Sequence, residues 1–141
     1  MPMIALTLPA GVLATDTRDA LQKTLGATLL SSEGAPDTAF FRSLAWVRID
    51  EVPDGGFVNL EDPLPRFRVD VTVPEGALSA RRKAGLVEQV TTDVLAAAGL
   101  DVEDGLRVWV LIHEQPEGTW GAGGNVVEFT KLKDLAASER G

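Results

Sequence analysis

Two tandem β-α-β units, forming one four-stranded sheet with two helices on one face, are the α/β (α+β) architecture that this sequence predicts. Three observations carry that expectation. A Trp-led segment is written twice, an apolar helical period precedes each copy, and each period follows a short strand-like run closed by a Pro-x-Gly turn.

The repeat is read directly. "WVRIDEVPDGGF", Trp46 to Phe57, reappears as "WVLIHEQPEGTW", Trp109 to Trp120, with Trp, Val, Ile, Glu, Pro and Gly in register. Upstream, "LPAGVLATDTRDALQKTLGATLL" from Leu8 matches "VPEGALSARRKAGLVEQVTTDVL" from Val73. In chain order, Ile4 to Leu8 is the first strand, and Thr15 or Thr17 is placed to cap a helix whose stripe is Leu21, Leu25, Ala27 and Leu29. Ala45 to Val52 is the second strand, followed by a tight hairpin at Gly55-Gly56. Arg66 to Val73 opens the second copy. There Ser79 caps a helix striped by Leu86, Val90, Val94 and Leu95, and Leu106 to His113 is its second strand. The long crossovers make the strands within each unit parallel. Gly118 to Gly124 reads as a hairpin, and Val126 to Phe129 as a short strand able to pair with a neighbouring chain. The chain is expected to be a single domain, 1–141, of two pseudo-repeats at about 2–62 and 65–129 plus a short C-terminal tail.

Composition narrows the function. A chain of 141 residues with 45% apolar and 24% charged residues can bury a core. Its formal charge of -8 argues against nucleic acid and anionic membranes, and its longest basic run is Arg81-Arg82-Lys83. With no cysteine and a single histidine, His113, thiolate chemistry is excluded and no metal site or cofactor is expected. The apolar start has no basic region before it and is broken at Pro9-Ala10-Gly11, so it is read as mature structure. No apolar run reaches the roughly 18 residues of a membrane span, and a soluble, cytoplasmic protein is expected.

Pro2 is the residue with the most distinctive chemistry. With Met1 removed it carries a free secondary amine, and an amine in an apolar pocket loses proton affinity and becomes a general base near neutral pH. In the second copy Phe67 stands opposite Pro2, within the chain, where no such amine can exist. Strand alternation places Trp46, Arg48 and Asp50 on one sheet face, and Arg107, Trp109, Leu111 and His113 on the matching face of the other copy. That face has no cover from the chain itself, which points to self-association. His113 reads as a hydrogen-bonded structural histidine. Glu51 and Glu114, present in both copies, read as structural too.

These elements together resemble the tautomerase superfamily. Pro2 before a strand, "PEGALSARRKAGLVEQVT" at a helix start and "VWVLIHEQPEGTWGAGG" are similar to the 4-oxalocrotonate tautomerase pattern, in the fused, double-length form. The resemblance implies a tautomerase/MIF-like fold, a homotrimer, catalysis by Pro2, and Trp120 as an aromatic pocket wall. It implies a cofactor-free isomerase acting on a small carbonyl acid by keto-enol tautomerisation. The sequence also departs from the family pattern: the family's arginines fall on Val12 and Trp46, and the water-activating tyrosine of its dehalogenases on Leu111. Arg48 and Arg107 are the candidates to replace those cations, with Trp109 beside them as a substrate-binding residue. Two alternatives stand beside this reading. One is a hydratase, dehalogenase or decarboxylase using protonated Pro2 as acid; the other is a non-catalytic trimeric binding protein.

Overall fold

A computed structural model describes residues 1–140. At its centre β1 (Met3–Pro9) runs parallel to β2 (Trp46–Val52), and β3 (Phe67–Pro74) runs parallel to β4 (Val108–Gln115). The two pairs join antiparallel through β1 and β3, giving the order β2-β1-β3-β4. Each parallel pair is linked by a crossover helix, α1 (Thr15–Glu33) in the first unit and, after the short α2 (Ala39–Leu44), α3 (Ala80–Ala98) in the second. This is the architecture the repeat predicts. Two small elements lie beyond it: a hairpin of β5 (Gly121–Ala122) and β6 (Asn125–Val126), and a last helix, α4 (Phe129–Arg140).

Alternation along the central strands sets the core. Ile4, Leu6 and Leu8 of β1 and Val69, Val71 and Val73 of β3 are wholly buried, and they meet Leu25, Leu29, Leu86 and Val90 from the two long helices. Truncating any of the leucines to alanine removes about 2–5 kcal/mol. The repeat also extends to surface contacts. Arg18 of α1 reaches Glu51 of β2 at 3.9 Å, and Lys83 of α3 reaches Glu114 of β4 at 3.0 Å, so both glutamates tie a helix to the strand beneath it.

Several expectations are corrected. Ala14, not Thr15 or Thr17, precedes α1, and no side chain caps that helix, whereas Ser79 accepts the Arg82 N–H as expected. Both long helices end on a left-handed glycine, Gly34 and Gly99, each at φ 68. Gly55-Gly56 forms a turn after β2, closed by the Gly56 N–H on the Pro53 carbonyl at 2.9 Å, and among the described residues no strand returns from it to pair with β2. The strand expected at Val126 to Phe129 is confined to Asn125–Val126, which pairs within the chain with Gly121–Ala122. The expected tail is α4. It packs Ala136 and Leu132 on Leu30 and Phe41, an apolar contact that a largely polar segment does not advertise.

The sheet face opposite α1 and α3 is not uniformly apolar. Trp46 and Trp109 stand exposed near opposite corners, but Ala5, Thr7 and Thr72 lie between them. Arg48 pairs with Asp50 at 2.8 Å and Arg68 with Asp70 at 2.9 Å, and His113 Nε2 lies 2.8 Å from Asp70 Oδ1. Among the described residues no helix is long and apolar enough to cross a membrane.

Candidate functional site

Pro2 is buried at the threshold of β1, and its carbonyl accepts the Trp46 N–H at 3.1 Å. The bond ties the start of the chain to the start of the parallel neighbour strand. Beside it lies a cleft of about 620 Å³, within the roughly 300–1,000 Å³ usual for small-molecule sites. Met1, Pro2 and Met3 form one part of its lining, Leu44 and Trp46 a second. The third part comes from the other half of the chain: Thr72 of β3, Gln115 of β4 and the segment Thr119 to Gly123 with Trp120.

That third part is held by local chemistry. Gln115 Nε2 donates to the Thr119 carbonyl at 3.2 Å and to its Oγ1 at 2.9 Å, fixing the loop to the end of β4. The hairpin then reverses on Gly123 and Gly124, at φ 61 and 81, a pair of left-handed positions that suits a two-residue turn and disfavours any side chain. The Val127 N–H returns to the Trp120 carbonyl at 2.7 Å. The Trp120 ring meets Phe129 edge-on, with centroids 6.3 Å apart and planes at 79°, so α4 braces the cleft wall from behind.

The structure brings Pro2 and Trp120 into one cleft and leaves Arg48, Arg107 and Trp109 outside its lining. Each absence has a local cause. Arg48 is held by Asp50, two residues on and on the same face. Arg107 ends a 3-10 turn (Val102–Arg107) rather than starting a strand, and pairs with Asp104 at 3.0 Å. Trp109 is the counterpart of Trp46: their indole N–H groups donate to the Leu106 and Ser43 carbonyls at 3.1 and 3.2 Å. At Trp109's end, however, the position of Pro2 is filled by Phe67, only 2% exposed. Leu44, Trp46, Thr72, Gln115 and Thr119 were not identified as cleft residues from sequence. The duplicated Trp was the one available signal, because only its first copy lies beside an amino terminus.

With Met1 in place the chain's free amine belongs to Met1. Burial lowers its proton affinity, and the nearby charge of Glu33 works in the opposite direction. The Glu33 carboxyl, at the end of α1, is pushed up by burial and drawn back by that same amine. Otherwise the cleft is walled by apolar and neutral polar groups, an environment that favours a neutral amine.

Comparison with known proteins bears on the fold that carries this cleft. The family model described as Tautomerase enzyme matches residues 68–130. No curated protein sequence matches the chain. Among solved structures, a member of the cis-3-chloroacrylic acid dehalogenase family superposes with a TM-score of 0.76 at 22% identity, covering 96% of this chain and 91% of that one. A fused 4-OT that forms a symmetric trimer gives 0.73 at 20% identity, covering 96% and 98%. Macrophage migration inhibitory factor from Toxoplasma gondii gives 0.72 at 12% identity, covering 89% and 99%. The likenesses establish the fold over nearly the whole chain.

Proposed function

We propose that this chain, which carries a Tautomerase domain at residues 68–130 within the fold shared with fused 4-OT, is a cofactor-free tautomerase using Pro2 as its general base. One observation carries the reading: the residue able to become a free secondary amine lines the same cleft as Trp120. Removal of Met1 does two things at once. It turns the Pro2 nitrogen from an amide into a basic amine, and it vacates the part of the cleft that Met1 occupies.

The chemistry then follows from the lining. A neutral Pro2 nitrogen takes a proton from the carbon beside a carbonyl group and returns it at another atom, interconverting enol and keto forms. The Thr72 hydroxyl is a polar group of the wall available to a developing enolate, and Trp46 and Trp120 supply aromatic faces for an apolar substituent. The substrate class is a small carbonyl compound. We further propose a homotrimer, as in the fused 4-OT structures. The test is turnover of phenylenolpyruvate by the purified protein, with intact mass read on the same sample. Turnover by a species lacking Met1 supports the reading. A Met1-free trimer with no turnover favours a non-catalytic binding protein.

A further inference from the structure

Glu33 holds a carboxylate where a folded chain rarely places one. β1 leads away from the amino terminus and α1 returns, and at about 3.4 Å per strand residue and 1.5 Å per helix residue the two elements are of nearly equal length. The last turn of α1 therefore comes back level with Pro2. Glu33 closes that turn, at the end of the helix where the dipole is negative and an anion is disfavoured. Its Oε1 is shut off from solvent and has no hydrogen-bond partner among the described residues. An unpaired buried carboxylate oxygen is costly, so a cation or donor is expected to face it.

The charged groups packed around this turn are few. From α3, Arg82 Nη1 donates to the main-chain carbonyl of Glu33 at 3.1 Å. From α4, the Arg140 guanidinium donates to the Gly34 carbonyl, and Glu139 accepts from the Thr38 hydroxyl at 2.9 Å. Both arginines thus serve the carbonyl end of the helix rather than the Glu33 carboxylate. From α2, Arg42 is held by Asp37 at 2.7 Å. Among the described residues the remaining cation is the amino terminus, and it and Glu33 perturb one another.

We infer that Glu33 is the positioning residue of the amino-terminal base: once Met1 is gone, its carboxylate faces the Pro2 ammonium, orients the ring nitrogen in the cleft and sets the pH range in which that nitrogen is free. This rests on the proposed role of Pro2 but is tested separately from it. A carboxylate stabilises the ammonium form, so its removal makes the amine easier to deprotonate. Glu33→Gln is close to isosteric and removes a buried charge, while Glu33→Asp keeps the charge and withdraws it by one methylene.

The experiment labels the terminal amine of Met1-free protein with a nitrobenzoxadiazole fluoride, which reacts with unprotonated secondary amines, and reads the N-terminal peptide by mass against pH. Beside it, kcat/KM for phenylenolpyruvate is recorded over the same range. In Glu33→Gln the labelling rate at pH 6 is expected to rise about threefold or more, with the acidic limb of kcat/KM moving to lower pH. Glu33→Asp is expected to lie between this variant and wild type. An unchanged labelling profile in both variants, with the far-UV spectrum intact, overturns the inference. If labelling shifts as expected but Pro2→Ala keeps full turnover, the contact stands and the proline mechanism fails.

Discussion

Trp46 and Trp109 provide a control built into the molecule. Trp46 is the first residue of β2 and Trp109 the second of β4; they are 67% and 68% exposed, and each donates its indole N–H to the carbonyl three residues upstream. Replacing either by alanine removes that hydrogen bond, worth about 1 kcal/mol, and the buried third of an indole, roughly 70 Å² at about 25 cal/mol per Å², or about 1.7 kcal/mol. The two variants should therefore lose similar stability, about 2–3 kcal/mol each, and melt at similar temperatures. Their activities should part. Trp46 lines the cleft and Trp109 does not, so Trp46→Ala is expected to lower kcat/KM for phenylenolpyruvate about tenfold, the value of one lost contact of about 1.4 kcal/mol, and Trp109→Ala less than about twofold. Steady-state kinetics at 25 °C, with melting curves on the same samples, decide it. Equal losses of kcat/KM in the two variants, or a larger loss in Trp109→Ala, would refute the assignment of the cleft.

Three further outcomes follow from the contacts described. Ser79→Ala should cost about 1 kcal/mol and lower the melting temperature by about 3–5 °C, while Thr15→Ala and Thr17→Ala change it little, since Ser79 caps its helix and neither threonine does. Burial alone would raise the Asp70 carboxyl, but the hydrogen bonds and charges of His113 and Arg68 outweigh it and hold it below the ordinary value. Its stabilisation is then present above the ordinary carboxylate range and lost as pH falls through the lower folded value. The stability gap between wild type and Asp70→Asn, about 0.5–1 kcal/mol near neutral pH, should accordingly close below about pH 4 in denaturant titrations. Chelation with EDTA should leave turnover unchanged, because a proline base needs no metal; loss of turnover restored by a divalent ion would contradict the mechanism.

The fold was legible because the sequence repeats itself on two scales. Val47 and Ile49, like Val110 and Ile112, alternate towards the helices, and the leucines of α1 and α3 keep a helical period over nineteen residues each. What escaped depends on tertiary contact. α2 is six residues long, the 3-10 turn ahead of β4 has no buried residue, and α4 buries only Ala136. Of the candidate cleft, the sequence singles out two lining residues, Pro2 through its position and Trp120 as a rare residue beside a glycine turn. Strand parity correctly put Arg48 on the open face, yet parity says nothing about which carboxylate lies within reach. Gln115, Thr119 and Thr72 are common residues whose place in the cleft depends on how the second unit's hairpin folds over the first unit's start.

Turnover of Met1-free Pro2→Ala, beside Met1-free wild type of the same oligomeric mass, tests the central claim most directly. The alanine variant keeps a terminal amine but loses the ring that fixes it, and kcat for phenylenolpyruvate should fall by about 10² or more, the usual size of a general-base contribution, with the assembly intact by light scattering. Near wild-type turnover in that variant would mean that the proline only stiffens the start of β1, and would contradict the account.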